Sequence, residues 1–219
     1  TTTRQTGPAL ADPLAQVQVL ESLLDDRPDA LAIVPTDPAS IEDVARRAMA
    51  SGVVVVTHEA DNLRHTHANI EAFDNAAFGA ALNERLAHCM GHAGQWTSFV
   101  GSRGSRTHRQ WAEGGAAHAR RHAGMTLVEA LTESHDDADT AYARARAILT
   151  QYPGIKGFQG AASSDVIGIG RAVQEAGLQG KVCVVGTGLP SRTQALLDSG
   201  TVQGIGFWDP KNAGLAMNV

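Results

Sequence analysis

Short apolar runs alternate with longer amphipathic stretches along most of the chain. From residue 30 onward, each apolar run of about five residues is followed by a turn and by roughly 10 to 18 residues whose apolar positions have helical spacing. This alternation is typical of strands and helices that build a parallel sheet. The pattern predicts an α/β fold with strands at residues 30–34, 53–57, 97–101, 126–130, 155–159, 181–185 and 202–207.

The residues before the second predicted strand give the clearest signals for where a helix begins and ends. Asp37 and Pro38 precede a helix predicted over residues 41–50, and Gly52 ends it. The following run, residues 53–56, consists of four valines without a polar position. Strands of this kind lie inside parallel sheets, so we expect helices to cover both of its faces.

The composition fits one large folded domain or two small ones. The 219 residues are 43% hydrophobic and carry a formal net charge of −5. The longest apolar stretch is too short to cross a bilayer. Lysines are rare and arginines are scattered, so the sequence predicts no basic surface for nucleic acid.

The two cysteines give no evidence of a disulfide framework. Cys89 falls in a predicted helix and Cys183 in a predicted strand, without a CxxC motif. The cysteines therefore do not indicate whether the protein works in a reducing or an oxidising compartment. Unpaired cysteines are commonly small buried residues, and we expect both to lie in the core.

The ends of the chain are also informative. Residues 1–7 lack a charged stretch followed by an apolar run, so no signal peptide is visible in this chain. Residues 212–219 continue a helical pattern without a stop signal. We expect the chain to be cut at both ends.

Candidate ligand-binding residues follow the predicted strands, because ligands of open parallel sheets bind beyond the carboxyl ends of the strands. Carboxylates and arginines bind hydroxyl groups, and an indole covers the apolar face of a sugar ring. Trp111 is expected to pack in the interior instead. We predict ligand contacts from His58, Glu59, Arg103, Thr107, His108, Arg109, Ser163, Trp208 and Asp209.

Some of these residues fit more than one role. Glu59 and Asp61 could form a general acid–base pair, although Asp61 would equally cap the turn. Arg103, Arg106 and Arg109 surround the start of a helix, which suits an anion. Solvated arginines fit the same pattern.

Two histidine pairs have the i, i+4 spacing of helical metal ligands. They are His88 with His92 and His118 with His122. Neither pair has a third ligand nearby in the sequence, which favours exposed helix-surface histidines. The sequence also lacks a phosphate-binding loop and a nucleophile elbow. We predict no metal and no cofactor.

Three segments, residues 32–38, 50–61 and 200–210, resemble the periplasmic sugar-binding proteins of ABC transporters. The similarity is nearest to the branch that binds autoinducer-2 or rhamnose. It implies two Rossmann-like lobes with parallel sheets, joined by crossover segments, which close on a ligand like a hinge. Residues 1–66 and 209–219 would form the first lobe, which would be incomplete, and residues 67–208 the second.

The resemblance also assigns roles to single positions. Glu59 matches the family's ligand-binding acid, and Arg109 matches an arginine that grips the sugar in ribose binders. Trp208 and Asp209 match a tryptophan and an acid in one of the family's crossover segments. Residues 107–108 depart from the autoinducer-2 branch, which has an aspartate followed by an amide there.

The resemblance predicts a monomeric, periplasmic solute-binding protein that delivers a small sugar-like ligand to an ABC transporter permease. It would bind the ligand in a cleft between its lobes without catalysis. One alternative is the effector-binding domain of a LacI-type transcription regulator, which shares the bilobed fold. The other is an enzyme on a doubly wound sheet, with Glu59 and either His58 or His108 as acid and base.

Overall fold

The computed structural model describes residues 2–217, whose backbone forms alternating helices and strands. The chain divides into two compact units. The first unit holds the residues up to Ala72, Gly104–Thr107 and the segment from Asp209 on, and the second holds Phe73–Arg103 and His108–Trp208. In chain order the elements are α1 (Pro13–Asp25), β1 (Ala30–Ile33), α2 (Pro38–Ala50), β2 (Val54–His58), β3 (Ala68–Ile70), α3 (Asn75–Cys89), β4 (Ala93–Val100), α4 (Arg106–Ala119), β5 (Gly124–Glu133), α5 (Ala138–Gln151), β6 (Ile155–Gly160), α6 (Asp165–Glu175), β7 (Cys183–Thr187), α7 (Pro190–Asp198), β8 (Gly204–Gly206) and α8 (Pro210–Met217).

The first unit is built on a three-stranded parallel sheet in the order β1-β2-β3. The boundary signals before α2 act as predicted, since Asp37 caps the helix through its carboxylate and Pro38 occupies the first turn. The helices α1 and α2 pack on the face of the sheet that carries Leu31, Ile33 and Val55.

The valine-rich strand β2 lies in the middle of this sheet, as predicted. The expectation that both of its faces are covered is wrong for Val54, whose side chain is 45% exposed. Because successive side chains of a strand point to opposite faces, Val53 and Val55 reach the core and Val54 points away from it.

The strand β3 was not expected from the sequence. It has three residues, with the polar Asn69 in the middle, which is too short and too polar for a periodicity signal. Its pairing with β2 keeps the chain in the first unit as far as Ala72, six residues beyond the predicted end of the first lobe at residue 66.

The second unit contains a five-stranded parallel sheet in the order β5-β4-β6-β7-β8. Its central strands bury Phe99, Phe158 and Val184 in one core cluster, against α5 and α6. On the other face of the sheet, Leu86 of α3 packs against Trp96. The α/β class, the parallel sheets and all seven predicted strands are thereby confirmed.

Two strands of the second unit are longer than their sequence patterns. β4 begins at Ala93, four residues before its pattern, and β5 is extended at both ends. The pattern of β5 ends at residue 130, whereas the strand continues to Glu133. The register between β4 and β5 shifts near Thr97, and Leu131 takes a left-handed backbone conformation with φ 55°. This irregularity breaks the period-2 alternation on which the prediction depended.

The two cysteines form a disulfide, so the expectation of two separate core residues is wrong. Cys89 ends α3 and Cys183 begins β7, with their Cα atoms 6.1 Å apart. The helix α3 lies across β7 and carries its last residue to the start of that strand. The pair is separated by 94 positions in the sequence, and only the fold brings it together.

Candidate functional site

In the first unit, His58 and Glu59 lie at the carboxyl end of β2. The His58 Nδ1 atom lies 2.6 Å from the carbonyl oxygen of Ile70. A carbonyl oxygen only accepts hydrogen bonds, so Nδ1 carries a proton and donates it. The other ring nitrogen, Nε2, lies 3.6 Å from the Glu59 carboxylate.

Glu59 is placed by an uncommon backbone conformation. Its φ is 63°, and its amide donates to the Ile70 carbonyl oxygen. Burial raises the pKa of the Glu59 carboxyl, the charge of His58 lowers it, and Glu71 raises it. A strained, largely buried carboxyl at a strand end is typical of a position kept for binding.

The start of α4 holds the loop that carries Glu59. The Thr107 hydroxyl donates to the Glu59 carbonyl oxygen at 3.1 Å. The Arg106 guanidinium binds the Asp61 carboxylate, with Nε 2.6 Å from Oδ1. Asp61 is therefore an ion-pair partner of Arg106 in this structure, and Thr107 contacts the Glu59 backbone directly.

Two further polar residues of this unit were missed by the sequence analysis. Asn69 accepts from the Ala60 amide through Oδ1 and donates to Glu71 Oε1 through Nδ2. It thereby links the loop after β2 to Glu71, the residue whose charge acts on Glu59. No signal pointed to this pair, because β3 itself was not predicted.

In the second unit, His108 lies on the first turns of α4, next to the carboxyl end of β4. Its Nδ1 atom accepts the Gly101 amide at 3.1 Å, so the neutral ring carries its proton on Nε2. Burial lowers the pKa of His108 to about 4, against the opposing charge of Asp136. The ring is therefore neutral at physiological pH, with Nε2–H as its hydrogen-bond donor.

Asp136 follows β5 and was not among the predicted site residues. Its Oδ1 atom accepts the Ser164 amide at 3.0 Å and the Ser163 hydroxyl at 3.4 Å. It connects the predicted residue Ser163 with the neighbourhood of His108. The sequence pattern predicts the end of this strand at residue 130, whereas β5 ends at Glu133, so the sequence did not indicate that Asp136 follows the strand end.

Asp165, the first residue of α6, is a buried acid behind these groups. Its Oδ2 atom accepts the Ala162 amide at 2.8 Å, whereas Oδ1 has no hydrogen-bond partner among the described residues. Burial raises the pKa of Asp165 to about 7, and the charge of Asp136 acts in the same direction. The carboxyl is therefore partly protonated near neutral pH.

Aromatic rings pack beside the same edge of the second unit. Trp208 lies 5.4 Å from both Phe73 and Trp111, measured between ring centroids. Trp111 is 2% exposed and donates through its indole nitrogen to Asn75 Oδ1, so it packs in the interior as predicted. Trp208 is only partly buried and can offer a ring face to a ligand.

The remaining predicted residues have other partners within their own units. The Arg103 side chain is 63% exposed and donates to the Leu131 carbonyl oxygen. Arg109 pairs with Glu113 on the surface of α4. Asp209 accepts the Lys211 amide at the start of α8 in the first unit. Their assignment to a ligand stays a prediction.

The residues of the second unit suit a neutral, hydroxyl-rich ligand, because they combine the carboxylate acceptor of Asp136 with the Nε2–H donor of His108. In the first unit, His58 Nδ1 and the Thr107 hydroxyl donate to backbone carbonyl oxygens. Within residues 2–217, no three or more His, Cys, Asp or Glu side chains are arranged to hold a metal ion. None of the described helices combines the length and apolar character that a membrane span needs.

Comparison with known proteins places this chain in a family. The sequence matches the periplasmic binding protein domain over residues 1–218, and the chain belongs to that family. This confirms the resemblance inferred from residues 32–38, 50–61 and 200–210. The finer placement next to the autoinducer-2 or rhamnose binders stays a prediction.

The relatives include proteins named for sugars. The chain is 26% identical over 216 residues to the D-allose-binding periplasmic protein of Escherichia coli, covering 95% of this chain and 69% of that protein. It is also 26% identical to the D-ribose/D-allose-binding protein of Pseudomonas aeruginosa, covering 87% of this chain and 61% of that protein. The chain thus spans about two thirds of the length of these curated relatives.

A solved structure supports the same assignment. An ABC transporter solute-binding protein from Agrobacterium vitis, bound with α-D-tagatopyranose, superposes with a TM-score of 0.80 at 26% identity. The match covers 87% of this chain and 67% of that one. The periplasmic binding protein-like fold predicted from the sequence is therefore confirmed.

Proposed function

We propose that this chain is the ligand-binding part of a solute-binding protein of an ABC importer and that its ligand is a small neutral sugar. The observation that carries the proposal is the neutral His108 near Asp136 at the carboxyl edge of the second sheet, with its ring 5.5 Å from Trp111, which packs 5.4 Å from Trp208. A sugar ring needs hydrogen-bond donors, acceptors and an apolar surface. The relatives named for D-allose and D-ribose support this ligand class.

The charge state of the residues favours a neutral ligand over an anionic one. His108 contributes no positive charge at neutral pH, because burial holds its pKa at about 4. Arg103, Arg106 and Arg109 each contact a carboxylate of this chain, so their charges are already balanced. In the second unit an anion would add repulsion from Asp136, whereas hydroxyl groups can donate to this acid.

The protein acts by binding and release, without covalent chemistry. Its curated relatives are named as sugar-binding proteins, and the similar solved structure is an ABC transporter solute-binding protein, which supports this role over the regulator and the enzyme. In the enzyme alternative, Glu59 and a histidine would exchange a proton with substrate. That the ligand lies in a cleft between two lobes that close on it stays a prediction, as does the division at residue 66.

The protein works in the periplasm and hands its ligand to a membrane permease, as a monomer. The relative from Escherichia coli, which is named as a periplasmic protein, supports this location. The Cys89–Cys183 disulfide supports it independently, because disulfides persist in the oxidising periplasm and are rare in the cytosol.

A thermal-shift screen tests the proposed ligand class. The panel contains D-allose, D-ribose, D-tagatose and L-rhamnose, with acetate and citrate as anionic comparisons. A sugar that binds the folded state raises the melting temperature, because it adds about 2.7 kcal/mol at a concentration 100-fold above its Kd. NMR of the recovered sugar checks that it is unchanged. A shift with the carboxylates alone, or turnover of a sugar, would overturn the proposal.

A further inference from the structure

Asp165 is a buried acid that lies among the residues proposed to bind sugar. It is 0% exposed, whereas Asp136, which carries the ligand-facing carboxylate of the proposed site, is exposed. Asp165 therefore cannot touch a ligand itself. Any effect that it has on sugar binding passes through the residues that it holds.

Two hydrogen bonds join Asp165 to the loop that follows β6, residues 161–164, which we call the β6 loop. Asp165 Oδ2 accepts the Ala162 amide at 2.8 Å, and the Asp165 amide donates to the Ala162 carbonyl oxygen at 3.1 Å. β6 ends at Gly160, where an added Cβ atom would lie 2.6 Å from the Asp165 Cβ atom. The absence of a side chain at Gly160 leaves the space in which Asp165 packs against the loop.

The β6 loop holds the Asp136 carboxylate. The Ser164 amide and the Ser163 hydroxyl donate to Asp136 Oδ1 at 3.0 and 3.4 Å. Asp136 and the preceding His135 both have left-handed backbone conformations, with φ 51° and 56°, which are uncommon for residues other than glycine. Such a conformation persists only where surrounding contacts hold it, and the β6 loop supplies two of these contacts.

The β6 loop also packs beside His108. The Gly101 amide donates to His108 Nδ1 at 3.1 Å. A Cβ atom placed on Gly101 would lie 3.0 Å from His108 Cε1 and 3.4 Å from the Ala162 Cβ atom. The ring and the Ala162 methyl group therefore approach the same backbone position. A shift of Ala162 would change the space that His108 occupies.

Stability alone does not account for a carboxyl at position 165. Burial raises its pKa to about 7, and the charge of Asp136 acts in the same direction, so at neutral pH the buried carboxyl lowers the stability of the fold. The carboxylate accepts an amide that precedes α6, and the N-cap residue Ser164 makes no side-chain cap hydrogen bond. A residue that lowers stability while it holds the groups of a site is typical of a functional position.

We propose that Asp165 is a positioning residue of the sugar site: it fixes the β6 loop, and the loop sets the Asp136 carboxylate and the His108 ring for the hydroxyl groups of the ligand. The inference rests on the proposed sugar binding. Binding groups keep a productive geometry only when supporting contacts lock them in place. Loss of the acceptor for the Ala162 amide therefore weakens sugar binding without removing any ligand contact.

Calorimetric titration of D-allose and D-ribose into Asp165→Ala and Asp165→Asn tests the proposal. Asp165→Ala should bind at least about fivefold more weakly than the parent, because the Ala162 amide loses its partner. Asp165→Asn keeps an oxygen acceptor and should bind within about threefold of the parent. Ile148→Val, a small truncation in the core of the same unit, is the matched control for lost stability and should bind as the parent does.

Amide hydrogen exchange on the unaltered protein keeps the test valid if Asp165→Ala does not fold. Coupling is reciprocal, so a loop that sets the sugar affinity must itself be stabilised by bound sugar. With saturating sugar, the Ala162 and Ser164 amides should exchange at least about tenfold more slowly. The amides in the last turn of α5 should keep their rates.

Three results would overturn the inference while the parent binds sugar. They are equal affinities of Asp165→Ala and the parent, an Asp165→Asn variant as weak as Asp165→Ala, and unchanged exchange of the Ala162 and Ser164 amides on sugar binding. A folded parent that binds neither sugar would overturn the proposed function, and this inference with it.

Discussion

Cys89 and Cys183 join the last residue of α3 to the first residue of β7. The bond fixes a helix end on the strand that it covers. It also closes a loop over 94 sequence positions, which constrains the unfolded chain strongly. The disulfide is therefore expected to be a main contributor to the stability of the second unit.

Reduction of this disulfide should lower the free energy of unfolding by about 3–5 kcal/mol, because a loop of this length loses much entropy when it is closed. Urea unfolding with and without a reducing agent measures the difference. The Cys89→Ser/Cys183→Ser variant is the control, since the reducing agent should leave it unchanged. Equal midpoints for the oxidised and reduced parent would contradict the prediction.

The close crossing of α3 and α4 depends on glycine. A Cβ atom added at Gly79 would overlap the backbone carbonyl of Trp111, which cannot move away like a flexible side chain. Gly79→Ala should therefore destabilise the protein by about 1–3 kcal/mol or more through overpacking. Gly214→Ala in α8, where the added Cβ meets no atom within 4 Å, is the matched control. It should be neutral or stabilising by up to about 1 kcal/mol. Similar denaturation curves for both variants would refute this account of the helix crossing.

The buried carboxyl of Asp165 should make stability depend on pH. Burial raises its pKa from 3.8 to about 7, so the folded state holds more protons than the unfolded state between these values. The resulting penalty is absent below pH 3.8, grows as the pH rises and is complete above about pH 7. In Asp165→Asn this penalty is removed.

The stability gain of Asp165→Asn over the parent should therefore increase with pH across this window, by at most about 1.4 kcal/mol per pH unit. The prediction concerns the difference in the free energy of unfolding between variant and parent. His108 changes the stability of both proteins with pH in the direction opposite to Asp165, and its effect cancels in this difference. Burial lowers the pKa of His108 from 6.5 to about 4, so its own contribution grows as the pH rises between these values. A difference that stays constant from pH 4 to pH 8 would contradict the role given to Asp165.

The sequence was sufficient for the α/β class and for every strand with a strong apolar pattern. The place of His58 and Glu59 at the sheet edge could be predicted because they come at the end of the valine-rich strand β2 in the sequence. Their contact with a ligand stays a prediction. β3 was missed because three residues around Asn69 carry no usable periodicity. Because β3 was not predicted, Glu71, which follows it directly, was not predicted as a polar residue of this unit either.

The parts that were missed depend on contacts between distant residues. Because of the irregularity at Leu131, β5 ends at Glu133 and not at the predicted residue 130. Asp136 therefore follows the strand end, which the sequence pattern did not indicate. The disulfide joins elements far apart in the chain, as does the contact between the rings of His92 and His122, and no local pattern encodes such contacts. Spacing could identify two histidine pairs, but only the packing of α3 beside α4 shows that they form one group.

The most direct test of sugar binding is calorimetric titration of D-allose and D-ribose into the parent and two site variants. His108→Asn keeps an acceptor for the Gly101 amide and removes the Nε2–H donor, and Glu59→Gln removes the carboxylate. Arg144→Ala, an exposed change on α5, is the control.

We predict that the parent binds one sugar per chain and that each site variant weakens binding by about 5- to 100-fold. Loss of a buried hydrogen-bond partner costs about 1–3 kcal/mol, which gives this factor. Arg144→Ala should bind as the parent does. A folded parent that binds neither sugar, or site variants with unchanged affinity, would contradict the proposal that these residues hold a sugar.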